Sequence, residues 1–209
     1  MISRDPDIGG DLELAVGAFR LAPLAIADAA DLFAHYADSR VVAFMDIEPL
    51  SDIEQACHII DWAMAQRSVG TGLRWSIRDS AGSFVGTCGF NRLDLERGRR
   101  GEIAYDLTHA RWGRGVLTAV LPAVVDFGFG RLALHRLEAM VTPGNVRSGR
   151  VLERHGFARE GLLRGYGFWK GRYWDQIVYS RLAPTAHVMA SGESSELEVT
   201  WAPRSPSIA

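Results

Sequence analysis

A chain of 209 residues, 47% hydrophobic and 23% charged, is long enough for one domain with a substantial core and has the composition of an ordinary globular protein. A formal charge of −2 gives no electrostatic basis for binding nucleic acid or an anionic membrane surface. Only Cys57 and Cys88 carry thiols, too far apart in sequence to form a metal pair, and both are expected to be reduced and buried.

No apolar run is long enough to span a bilayer, and no signal-peptide stretch follows the charged start at Met1–Asp7, so a cytoplasmic location is expected. Residues 1–11 read as a polar arm containing Gly9 and Gly10. The imperfect alternation from Leu12 to Leu21 predicts one strand, ending before Pro23. Ala27–Tyr36 is Ala-rich with apolar residues at helical spacing and predicts a helix. Ser51 followed three residues later by Glu54 reads as a capping box, opening a second helix that ends near Gly70.

A hairpin is expected next: Leu73–Arg78 alternates, Asp79–Gly82 turns, and Ser83–Phe90 returns. Gly101–Leu107 predicts another strand. Helical spacing runs from Gly115 to Phe129, with Pro122 expected to bend or interrupt it. His135–Val141 is the next strand, stopped by Pro143-Gly144, and a short helix opens at Asn145 and closes at Gly156. The last hairpin pairs Leu162–Trp169 with Tyr173–Leu182. Residues 184–209, rich in Ser, Glu and Pro, are expected to form a disordered tail, leaving one mixed α/β domain over 12–183.

Two segments point to chemistry. In Arg111-Trp112-Gly113-Arg114-Gly115-Val116-Leu117-Thr118, two glycines stand where a strand pattern ends and a helix pattern begins. Glycines there let several N–H groups at a positive helix end converge on a diphosphate. A plain helix start in an α/β protein shows the same pair. No Gly-Lys-Ser/Thr follows, so this is not a nucleoside-triphosphate loop. The second segment, Asn145 to Phe157, places Asn145 and Ser148 at a helix start. The six histidines fall in separate elements without ligand spacing, and no metal site is expected. His109, just before the glycine loop, is a secondary candidate for a base. Phe44, Trp62, Trp75, Trp169 and Trp174 read as core; for Trp169 and Trp174, which flank the last turn, the alternative is an exposed tip that borders the acceptor groove.

Together, in this order, these segments resemble the GNAT acetyltransferases over roughly Leu12–Leu182. The family's Gln/Arg-x-x-Gly-x-Gly/Ala loop is matched by Ala110 to Gly115, with Ala110 in place of the usual first side chain. Glu102–Tyr105, Trp112–Gly115, Gly171–Asp175 and Tyr179–Leu182 are most similar to the branch that acetylates the N-termini of ribosomal proteins. The resemblance implies a mixed, mostly antiparallel sheet with helices on both faces and a splayed central parallel strand pair. Acetyl-CoA would lie between the strands ending near Leu107 and Val141. Its pantetheine would meet main-chain groups of Tyr105, Asp106 and Leu107, and its diphosphate Arg111, Trp112, Gly113, Arg114, Gly115, Val116, Leu117 and Thr118.

An amine nucleophile must lose a proton and the leaving thiolate must be stabilised. Glu102 is the candidate base, through a water, or alternatively the partner of an arginine at the strand start. The tyrosine that many relatives use as acid falls at Leu152 here; the branch that acetylates N-termini puts a serine near the sulfur instead, and the resemblance implies that role for Ser148, whose alternative is to serve only the helix start. Asn145 caps the helix, bonds the pantetheine, or does both. The acceptor is expected to be a protein N-terminal α-amine. A small amine (antibiotic, polyamine or amino acid) and a non-catalytic acyl-CoA-binding module are the alternatives, and a homodimer is possible by analogy.

Overall fold

A computed structural model describes Ile8 and residues 12–184, so the expected arm and tail lie almost wholly outside the described residues. The alternating segments form one eight-stranded sheet in the order β1-β2-β3-β4-β5-β6-β8-β7. Its strands are β1 (Leu14–Val16), β2 (Phe19–Pro23), β3 (Leu73–Asp79), β4 (Phe84–Asp94), β5 (Arg100–Leu107), β6 (Arg136–Val141), β7 (Ala158–Trp169) and β8 (Arg172–Leu182). Every neighbouring pair is antiparallel except β5 and β6. Those two run parallel for only three rungs, Arg100 to Arg136, Gly101 to Leu137 and Glu102 to Glu138, and then part.

The helices are α1 (Ala29–Tyr36), α2 (Ser39–Val42), α3 (Ile53–Ser68), α4 (Val116–Asp126) and α5 (Val146–Arg154). One core gathers α4 with Trp75, Phe90, Ile103 and Leu137 of the sheet; a second packs α1 and α3 together through Leu32, Tyr36 and Ile60.

Several elements depart from expectation. The Leu12–Leu21 strand is a hairpin, because Gly17 takes φ +58° and reverses the chain between β1 and β2. The cap of α3 is Asp52, whose Oδ1 accepts from the Gln55 amide at 3.0 Å, while the Gln55 side chain accepts from the Ser51 amide. The reciprocal cap thus sits one residue later than Ser51–Glu54. The α2 turn has too few residues to show a period. Helix α4 continues through Pro122, because Val116, Val120, Leu121, Val124 and Val125 are all buried and packing outweighs one missing backbone bond. A wide turn over Phe127–Arg131 ends it. Both cysteines are free, but Cys57 is only half-buried.

Strand β4 can be sandwiched between β3 and β5 only because two residues lack side chains. A Cβ on Gly89 would lie 2.1 Å from the Leu73 carbonyl oxygen, and one on Gly86 would lie 2.2 Å from that of Asp106. Gly89→Ala should therefore lower unfolding free energy by about 3 kcal/mol or more, read as a reduced denaturant midpoint.

Asp106 ties the α1 layer to the sheet. Its carboxylate accepts from His35 Nε2 at 2.7 Å, Tyr36 Oη at 3.1 Å, Thr87 Oγ1 at 2.8 Å and Arg74 Nη2 at 2.5 Å. Burial opposes its ionisation, but Arg74, His35 and Thr87 outweigh burial and bring the carboxyl down to about 2. A carboxylate depressed in the folded state stabilises fully above its ordinary value of 3.8 and loses that contribution as pH falls through about 2. Asp106→Ala leaves Arg74 buried without its anion and should cost about 3–5 kcal/mol in equilibrium unfolding at neutral pH. The variant should also lose less of its remaining stability on acidification than the parent.

Candidate active site

Alternation along β5 divides its residues between two faces. Asp106 meets His35 and Tyr36 of α1, which places Glu102, Ala104 and Asp106 toward α1–α3. Tyr105 meets Ser148 of α5, which places Ile103, Tyr105 and Leu107 on the opposite face. Where β5 and β6 part, a cavity of about 1000 Å³ opens, and residues of both faces line it. Of the expected site residues, Glu102, Tyr105, Asp106, Leu107, Trp112, Gly113, Leu117, Asn145 and Ser148 line this cavity. Arg111, Arg114, Gly115, Val116 and Thr118 do not.

Glu102 sits on the last rung of the parallel ladder. Among the described residues no hydrogen bond or ion pair holds its carboxylate, and its cross-strand neighbour Arg92 acts only at longer range. The alternative in which it serves as an arginine's ion-pair partner has no counterpart here. Burial pushes its pKa up; Arg92 opposes this, and Glu138 and Asp46 reinforce it. A half-buried carboxylate with a raised pKa and no fixed partner has the properties of a general base.

The glycine loop is built as its sequence suggests. Gly113 and Gly115 take φ +69° and +74°, and a Cβ on either would meet nothing within 4 Å. Gly115 is the N-cap of α4 and supplies no side-chain cap, so the first amides of the helix are left for an outside acceptor. Arg111 is turned away and pairs with Asp79 in the β3–β4 turn, so it braces the loop. The Trp112 indole donates to the Leu107 carbonyl at 2.8 Å, which engages one of the main-chain groups expected to meet pantetheine. Arg147, which the sequence reading passed over, lies over the Trp112 ring with its guanidinium 5.0 Å from the centroid. It brings positive charge to the cavity wall. His109 packs edge-on against Trp112, with ring centroids 4.8 Å apart, and does not line the cavity.

At α5, Asn145 caps the helix, its Oδ1 accepting from the Ser148 amide at 3.2 Å. The Ser148 hydroxyl is free of that duty and lies 3.0 Å from Tyr105 Oη. Leu152 is fully buried in the core, so that position offers no proton donor.

The opposite wall contains residues that read as core from sequence. Phe44 is 41% and Trp62 49% exposed, and both line the cavity, whereas Trp75 is buried as expected. Trp169 lines it too, stacked on Trp174 at 5.7 Å. Lys170 at the hairpin tip donates to the Val42 carbonyl at 2.6 Å, and Thr142 donates to the Phe44 carbonyl at 3.0 Å. These bonds lace the end of α2 and the chain after it to the last hairpin and to the residue that follows β6. Among the described residues no group of three or more His, Cys, Asp or Glu could hold a metal, and no helix is long and apolar enough to cross a membrane.

The long cavity, the open amides at α4, and the parted strand edges together suit a slender thioester carrying a diphosphate. The family profile described as "Acetyltransferase (GNAT) domain" matches residues 19–158. An uncharacterised N-acetyltransferase p20 of Bacillus licheniformis is 37% identical over 163 residues, 78% of this chain and 91% of that protein. Mycobacterium smegmatis RimJ, solved with a CoA-disulfide, is 27% identical with a TM-score of 0.73 and covers 82% of this chain and 86% of its own. The ribosomal-protein-S5-alanine acetyltransferase of Vibrio fischeri shares the fold at 19% identity, with a TM-score of 0.73, covering 82% and 97%. The chain thus belongs to the GNAT family and is an acetyl-CoA-dependent N-acetyltransferase.

Proposed function

We propose that the acceptor is the α-amine at a protein N-terminus and that Glu102 and Ser148 carry the chemistry. The observation that supports this most is their position on one cavity but on opposite faces of the sheet. Glu102 stands on the α1–α3 side with Phe44, Trp62 and Trp169, and Ser148 stands beside the α5 start. An acyl group held between the parted strands would meet an amine from one side and release sulfur on the other. Similarity to RimJ and to the S5-alanine acetyltransferase supports a protein N-terminus as acceptor. The apolar wall of Phe44, Met45 and Trp62 suits the first side chains of an extended peptide.

In this reading the amine nitrogen attacks the acetyl carbonyl carbon, its proton passes to Glu102 through water, and the C–S bond breaks with its electron pair on sulfur. Ser148 donates a hydrogen bond to that sulfur near the positive end of α5. The diphosphate rests on the amides after Gly113 and Gly115, and Arg147 supplies charge there.

Glu102→Gln should lower kcat about a hundredfold or more while leaving CoA affinity within error, measured by thiol release and calorimetry. The acid limb of the parent's kcat/KM profile should fall at a pH above the ordinary glutamate range, because burial raises this carboxyl, and should vanish in the variant. With N-terminal peptides and small amines presented side by side, turnover is expected on the peptides. Turnover confined to polyamines, aminoglycosides or free amino acids would reject the protein acceptor.

A further inference from the structure

The Ser148 hydroxyl raises a question of proton supply. A hydroxyl inside a helix ordinarily bonds back to a carbonyl of the preceding turn. Here it bonds Tyr105 Oη at the cavity wall at 3.0 Å, and among the described residues it has no other partner. Tyr105 Oη also lies 3.2 Å from the Ser148 carbonyl oxygen, to which it donates.

The tyrosine has one hydroxyl hydrogen and so can serve one acceptor at a time. While it serves the Ser148 carbonyl, the hydrogen between the two hydroxyls must come from Ser148 and point at Tyr105. Ser148 is then unable to donate into the cavity. If the tyrosine hydrogen swings to Ser148 Oγ, the serine hydrogen is released toward the cavity, and the serine oxygen gains a donor that strengthens its own bond outward. The two arrangements differ only by rotation of two hydroxyls, and both keep every hydrogen on its own oxygen.

From this geometry we infer that Tyr105 is a positioning residue for the leaving sulfur: it holds the Ser148 hydrogen at rest and turns it onto the thiolate as the C–S bond breaks. The inference rests on the reading of Ser148 as the residue beside sulfur. No proton leaves either hydroxyl. The N–C bond forms, the C–S bond breaks, the electron pair goes to sulfur, the amine proton goes to Glu102, and the thiolate takes its proton from water. Burial, partly opposed by the Ser148 bond and assisted by Tyr179, keeps the Tyr105 phenol protonated well past neutral pH, as a hydrogen-bond donor must be. The residue is legible as a donor only in three dimensions, because Tyr105 and Ser148 are 43 positions apart.

The test reads the thiol of bound CoA and needs no acceptor. Thiolate absorbance is titrated with pH in complexes of the parent, Tyr105→Phe, Ser148→Ala and the double variant, each with desulfo-CoA as its blank. In the parent, the bound thiol should titrate below free CoA. Tyr105→Phe should raise its midpoint by about one pH unit, the worth of a hydrogen bond to a charged group. Ser148→Ala should raise it at least as far, and the double variant no further. In turnover, Tyr105→Phe should lower kcat about tenfold with KM for acetyl-CoA unchanged.

A bound thiol in the parent that titrates like free CoA removes Ser148 from the sulfur, and Tyr105 with it. A depressed midpoint that Tyr105→Phe leaves in place overturns the Tyr105 inference alone, as do single-variant shifts that add. Should Tyr105→Phe fold poorly, 3-fluorotyrosine at position 105 keeps ring and hydroxyl while making a stronger donor. It should lower the midpoint, and an unchanged midpoint is again contrary.

Discussion

The active cavity depends on a strand pair that stops pairing. β5 and β6 share three rungs and then separate, although each continues to pair on its outer side: β5 with β4 as far as Leu107, and β6 with β8 as far as Val141. The core packs on one side of the two halves and α1–α3 on the other. Glu102 occupies the last rung, and α5 starts where β6 ends. A few residues at the fork therefore decide where Glu102 stands, where the start of α5 points, and how the two faces of the sheet communicate.

The same strand holds two carboxylates under opposite control. Asp106 is surrounded by Arg74, His35, Tyr36 and Thr87 and is held ionised far below its ordinary range. Glu102, four residues earlier on the same face, has no ion pair among the described residues, and burial raises its pKa. Identical chemistry is thus divided into a structural anion and a group able to take up a proton. The fixed anion also ties α1, through His35 and Tyr36, to the same strand that carries Glu102.

Much of this was legible in the sequence because it is local. Gly113 and Gly115, Asn145 with Ser148, and the β3–β4 hairpin are short patterns whose backbone consequences follow from the residues themselves. The single strand read over Leu12–Leu21 failed because alternation survives a two-residue turn, and only Gly17 marks the reversal. Phe44 and Trp62 looked like core because a cavity wall and a core draw on the same side chains. The Asp106 cluster, the Arg147–Trp112 stack and the Tyr105–Ser148 bond join residues far apart in the chain, and no periodicity carries them. The likeness to GNAT acetyltransferases implied a role for Glu102 and another for Ser148; composition and spacing alone left both with structural alternatives.

The fork also gives the sheet edges of two kinds. Outer edge strand β7 is exposed along nearly all its length and offers unpaired backbone, yet Gly161, Gly165 and Gly167 weaken its register and Arg159 and Arg164 add like charge. The edges of β5 and β6 beyond the fork face each other inside the molecule. A folded partner cannot align a strand with either, but a thin, flexible chain bearing amide groups can lie between them and bond the main chain on both sides. The molecule keeps its most adhesive surface, unpaired β backbone, where width rather than sequence decides what may touch it.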